Sequence, residues 1–336
     1  MSDPRPFASI FVVGGGAWGT ALAHLCALNG AKTTIWARED EVVSAINSGH
    51  ENTLFLPGVP LAPTLKATND LAPAASAEAI VFVSPAQHAR AVLNELKHVA
   101  AIDAPIALCC KGIEQKTGLL MTQTLSQVWP QARPAVLSGP SFARDVAMGL
   151  PTAVTLACAD EMLGQRWAVT IGATHFRPYL STDLIGAELG GAIKNVLAIA
   201  SGVVDGRGLG ESARAALIAR GFAEFQRLGV ALGANPQTMA GLSGLGDLIL
   251  TASSTQSRNM SLGVELGKGR SLQEVLEERN TVSEGVASAS AVTALAAEAG
   301  VDMPICAAVA ALVDGEKSVD QIIADLLARP IKTETK

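Results

Sequence analysis

The stretch VVGGGAWGTALA, Val12 to Ala23, decides the fold. An apolar, β-branched run (Ser9 to Val13) enters three consecutive glycines, and a segment of helical character, Trp18 to Asn29, follows. Gly14, Gly16 and Gly19 form G-x-G-x-x-G between that strand and that helix. The first glycine of such a turn makes the tight bend, the second lets the backbone approach a pyrophosphate, and the third lets helix pack on strand. The free amides at the helix start then face the phosphates. The motif by itself is weak, because glycines occur in ordinary turns; its place between a strand and a helix gives it weight.

Further β-branched runs recur between helical patterns: KTTIWA, AIVFVS, PIALCC, AVLSG and AVTLACA. Alternation of this kind predicts βαβ units and a parallel sheet, and the nearly unbroken apolar runs predict strands covered on both faces. The strand signal stops near Arg177, and from Thr182 the pattern is helical, Ala-rich and punctuated by glycine. The proline and N-cap in FRPYLSTD, Phe176 to Asp183, mark the boundary. The expectation is an α/β protein with a doubly wound, Rossmann-like N-terminal domain over residues 1–180 and an all-helical domain over residues 181–336. Length supports two domains and a ligand cleft between them.

Charged residues are only 17 % of the 336 and hydrophobic ones 49 %, which describes a tightly packed protein and not a disordered one. The net charge of −6, without a block of Lys or Arg, argues against nucleic acid as partner. Cys26, Cys109, Cys110, Cys158 and Cys306 lack paired CxxC spacing and suit buried hydrophobes in a reducing compartment. The histidines lack metal-ligand spacing, so no metal is expected. MSDPRPF does not read as a secretory leader. LIGAELGGAIKNVLAIASGVV, Leu184 to Val204, has the length of a membrane span, but Glu188, Lys194 and Asn195 in its middle favour a buried soluble helix.

The second strand ends in WARED, where the residue that reads the ribose of a dinucleotide falls. Arg38 takes the first exposed position and suits a 2′-phosphate, which favours NADP; Glu39 and Asp40 follow and suit NAD. A solvated charge cluster is the bland alternative for all three.

GGAIKNVLAIASG, Gly190 to Gly202, sets Lys194 among small and aliphatic residues. Gly191, Lys194, Asn195 and Ala198 share a helical face with room for a ligand, and burial there would lower the lysine pKa toward neutrality. The alternative is a lysine that snorkels to solvent. Asn195 is suited to orient a substrate oxygen. Lys111, in CCKGIE, follows the fourth predicted strand at the carboxyl edge where open α/β sheets bind ligands, so that two lysines on two domains would face one cleft. Asp247 follows a glycine-rich turn and is read as orienting Lys194 or a substrate hydroxyl. Ser257, Arg258 and Asn259 offer hydroxyl, guanidinium and amide to a phosphate; taken alone they equally read as a helix cap or surface loop.

With GGGAWGTALA, CKGIE, SGPSFA, GGAIKNVLAIASG, GLGDLILT, QSRN and VSEG in this order, the chain resembles the soluble bacterial NAD(P)-dependent sn-glycerol-3-phosphate dehydrogenases from Ile10 to Lys317. The resemblance implies that Lys194 is the proton donor and acceptor at the substrate C2 oxygen, and that Lys111 touches substrate and cofactor. It implies a substrate site of Gly139, Ser141, Asp247, Ser257, Arg258 and Asn259. The implied cofactor set is Trp18, Arg38, Ala143, Arg258, Val282 and Glu284, joined to the turn residues Gly14, Gly16, Ala17 and Gly19. Dihydroxyacetone phosphate and sn-glycerol 3-phosphate would be the substrate pair, NADP (favoured) or NAD the cofactor, and the protein a cytoplasmic homodimer supplying phospholipid synthesis, without membrane insertion. Gly15 departs from the family, which more often has alanine, and is expected only to loosen the turn. Two other readings compete: a related dehydrogenase of an unphosphorylated hydroxy acid, for which the SRN group has no use, and an NADPH-sensing regulator, for which both lysines are redundant.

Overall fold

A computed structural model of the chain describes residues 4–278, 283–330 and 333. The chain divides into two compact units, Met1–Gly191 with Ala234–Asp247, and Ala192–Gly233 with Leu248–Lys336. Residues 181–191 and 234–247, which the sequence groups with the helical part, thus cluster with the sheet. Helix Leu184–Gly206 is continuous, so no break in secondary structure marks the division.

The first unit is built on an eight-stranded sheet: β1 (Ser9–Val13), β2 (Lys32–Trp36), β3 (Lys66–Thr68), β4 (Ala79–Phe82), β5 (Pro105–Leu108), β6 (Arg133–Ser138), β7 (Thr152–Ala157) and β8 (Phe176–Ser181). The order is β3-β2-β1-β4-β5-β6-β7-β8. Alternation within β1 explains the apolar run: Ile10 and Val12 enter one core cluster, Phe11 and Val13 the other. Helices Ala17–Leu28 and Glu161–Ile171 contribute to the first cluster, and helices Ala86–Leu96 and Met121–Val128 to the second. Strands β1 to β3 are added toward one edge and β4 onward toward the other, so the strand order reverses between the parallel neighbours β1 and β4, the switch point at which doubly wound sheets bind ligands.

The parallel sheet expected from the sequence is interrupted at one pairing. The sheet is mixed, because β7 runs antiparallel to β6; the connection between them holds only the five-residue helix Ala143–Ala147, not a full crossover helix. The strand signal, which fades near Arg177 in the sequence, extends in the structure to Ser181, because Phe176–Ser181 is β8, parallel to β7. As the edge strand it tolerates Pro178, and only Phe176 in it is buried, so it lacks an apolar run.

Helices make up the described part of the second unit. In helix Leu184–Gly206, the stretch suited by length and hydropathy to a membrane span is wholly buried within the protein. Its Gly202 and Gly206 meet Gly263 and Gly267 of helix Arg258–Gly267 with the backbones nearly touching. A Cβ added at Gly202 would lie 2.1 Å from Met260 O, and one at Gly263 2.1 Å from Ile199 O. The spacing of four keeps each pair on one helical face. Gly263→Ala must therefore push two backbones apart, at a cost on the order of 3 kcal/mol, to be read as a lowered midpoint of urea unfolding.

Candidate active site

The glycine turn leaves the carboxyl end of β1. Gly14 has φ +131°, and a Cβ there would lie 3.0 Å from the carbonyl carbon of Val83, just after β4. A Cβ at Gly19 would overlap Gly14 O at 1.9 Å. Gly16 differs: it is exposed, and a Cβ on it would meet nothing within 4 Å. First and third glycines thus serve internal packing, while the second faces open space, as pyrophosphate approach requires. Gly16 caps helix Ala17–Leu28 without a side-chain bond, which leaves the amides of the first turn to a ligand. The indole Nε1 of Trp18 is buried and finds no acceptor among the described residues. Open glycine, uncapped helix start and orphaned donor fit a dinucleotide.

Gly15 does not loosen this turn. A Cβ on it would lie 2.4 Å from the Cβ of Ala37, so here the absent methyl lets turn and β2 end pack together. Arg38 and Glu39 are exposed beyond β2. Asp40 is engaged elsewhere, its Oδ1 accepting from Asn69 Nδ2 at 2.6 Å.

Lys111 leaves the end of β5 half-buried. Its Nζ donates to Asp247 Oδ2 at 2.9 Å and to Gly139 O at 3.4 Å. Asp247 is fully buried at the start of helix Asp247–Ala252, behind a π-turn in which Gly246 N donates to Gly241 O. Lys111 is thus a partner of Asp247 that sequence reading does not name. Gly139, with φ +146°, lies too close to Val154 for any side chain, and its carbonyl also accepts from Ser141 Oγ at 3.0 Å. Gly191 allows helix Leu184–Gly206 to pass Lys111, whose Cγ would be 3.2 Å from an added Cβ. Ser138 Oγ and Ser243 Oγ, unforeseen from sequence, are buried without a partner among the described residues. Ala143 starts the short helix after β6.

Glu188, read from the sequence as a charge that argues against a membrane span, is buried. Its carboxylate accepts from Thr122 N at 2.8 Å and Thr122 Oγ1 at 2.5 Å, fastening the helix that follows the Lys111 loop. Burial pushes its pKa up to about 7 despite these bonds.

In the second unit Lys194 is 7 % exposed, so it does not snorkel. Its ammonium donates to Thr251 Oγ1 at 3.1 Å. Asn195, also buried, donates from Nδ2 to Glu284 Oε2 at 3.4 Å. Ser257 caps helix Arg258–Gly267, its Oγ accepting from Met260 N, and Asn259 Oδ1 accepts from Gly285 N at 3.0 Å. Both therefore have structural partners, and Arg258 is exposed at the helix start. Val282 lies outside the described residues.

A Rossmann-like unit with a phosphate-type turn at its switch point, and a helical unit carrying a buried lysine, define a nicotinamide-dependent dehydrogenase. Residues 9–164 match the N-terminal part, and residues 183–324 the C-terminal part, of NAD-dependent glycerol-3-phosphate dehydrogenase. The chain belongs to this family and is an NAD(P)-dependent oxidoreductase. It is 58 % identical to a glycerol-3-phosphate dehydrogenase [NAD(P)+] of Parvibaculum lavamentivorans, over 98 % of this chain and 99 % of the relative. The solved glycerol-3-phosphate dehydrogenase of Coxiella burnetii shares 36 % identity and a TM-score of 0.92, covering 96 % of this chain and 99 % of that one.

Proposed function

We propose that the protein reversibly reduces dihydroxyacetone phosphate to sn-glycerol 3-phosphate, with Lys194 as proton donor and acceptor at the C2 oxygen. The observation that carries this reading is the buried amine of Lys194, oriented by Thr251 on a helix face of small and aliphatic residues. The nicotinamide supplies the hydride when bound. As C2 is reduced, negative charge builds on its oxygen; a positioned ammonium stabilises that charge and then protonates it. Asn195 orients the oxygen. Lys111, held by Asp247, lines the substrate with Gly139 and Ser141. Arg258, at a helix start, offers a bidentate guanidinium to the phosphate, with Ser257 and Asn259 beside it.

Ala17, Trp18, Arg38, Ala143, Val282 and Glu284 complete the cofactor set with the glycine turn. Arg38 favours NADP, a reading supported by the engagement of Asp40 with Asn69. The family resemblance drawn from the sequence extends this reading to a cytoplasmic homodimer that feeds phospholipid synthesis.

The test is oxidation of NADPH and of NADH with dihydroxyacetone phosphate and with dihydroxyacetone. NADPH and the phosphorylated ketone should be preferred, and Arg258→Ala should raise KM for that ketone about 30-fold while weakening discrimination against dihydroxyacetone. Turnover that ignores the phosphate would overturn the substrate assignment, and NADPH binding without any turnover would favour the regulator.

A further inference from the structure

The peptide between Gly15 and Gly16 carries the N–H of the second glycine, the position at which such a turn lets the backbone approach a pyrophosphate, and it lies between two residues with no Cβ to resist a flip. In a trans peptide the carbonyl and the following N–H point in opposite directions. The Gly15 carbonyl is held inward: Asn52 Nδ2 donates to it at 2.8 Å and Thr20 Oγ1 at 3.3 Å. The Gly16 N–H is thereby aimed outward, on the side where that residue is exposed.

Asn52 is fully buried and lies 37 residues from Gly15 in the chain. Every capacity of its amide needed for the lock is used. Nδ2 also donates to Thr20 Oγ1 at 2.8 Å, and Oδ1 accepts from Phe55 N at 3.0 Å. Its backbone carbonyl accepts from Leu56 N at 2.9 Å, so the turn after Asn52 holds the side chain in place. A buried amide placed there for packing alone would not need to converge with a hydroxyl on one carbonyl of the phosphate turn.

We infer that Asn52, seconded by Thr20, is a positioning residue that fixes the Gly15–Gly16 peptide in the orientation that donates to the cofactor pyrophosphate. The inference rests on reading the turn as the pyrophosphate site. Asn52→Asp keeps the size and the acceptor for Phe55 N but presents no N–H to Gly15. Equilibrium titration should find NADPH and ADP-ribose both weakened about tenfold, by a common factor, with the affinity for adenosine 2′-monophosphate, which lacks the pyrophosphate, unchanged. Equal loss for all three ligands, or no loss for any, would overturn the inference. Should this variant fail to fold, Thr20→Val retains the direct Asn52 bond and should weaken ADP-ribose about threefold; wild-type affinity would again overturn it. Failure of the wild-type protein to bind ADP-ribose would instead reject the pyrophosphate reading itself.

Discussion

Lys194→Ala is expected to lower kcat by about 10²- to 10⁴-fold, the usual contribution of a positioned general acid, while leaving NADPH affinity within about twofold, a factor worth less than one hydrogen bond. The two halves of this expectation have separate structural grounds. The turn that suits the pyrophosphate is built from Gly14 to Gly19 and belongs to the sheet unit, whereas Lys194 is fixed within the helical unit by Thr251. The side chain is buried, so its removal takes away a charge that solvent cannot replace with equal orientation. Kinetics at saturating substrate, with a fluorescence titration of NADPH, would check both; a variant that keeps most of its turnover would remove the amine from the chemistry.

The second large effect is expected at Asp247. Its carboxylate is 1 % exposed and its partner Lys111 15 % exposed, so alanine at 247 would leave an ammonium poorly hydrated beside the Gly139 carbonyl. Loss of one partner of a fully buried pair typically costs about 3 to 5 kcal/mol; because Lys111 reaches some solvent, about 2 kcal/mol is expected here. The catalytic consequence should follow from a displaced Lys111, with kcat/KM falling roughly 100-fold. The double variant with Lys111→Ala should lose much less than the sum of the two single losses. Additive losses in that cycle would mean that the two side chains act independently.

The part of the fold nearest the glycine turn was legible because local signals agree there. β1 spans Ser9–Val13 as expected, and the first helix, Ala17–Leu28, begins one residue before its expected start. Strand β3 has only three residues and β8 alternates weakly with a proline inside, so neither carries a periodic signal. The direction of β7 depends on how a short connection folds back, which residue type does not report.

At the site, the lysines could be singled out because charge in apolar surroundings is conspicuous. Their partners were harder. Thr251 stands one helical turn beyond Asp247, so i, i+4 spacing was a usable signal, whereas Lys111 and Asp247 meet across 136 residues of chain. Asn52 sits in HENTLF, a segment whose composition reads as an ordinary loop; only the folded chain brings its amide to Gly15. The effect of Gly15 itself was misjudged because its neighbour, Ala37, is set by the pairing of β1 with β2.

Proton delivery by the Lys194 amine is tested most directly by adding methylamine to Lys194→Ala and following reduction of dihydroxyacetone phosphate. Turnover should rise with amine concentration and saturate, because the small amine occupies the space left by the side chain. The same turnover with and without amine, in a variant that still binds NADPH and substrate as the wild type does, would contradict the account.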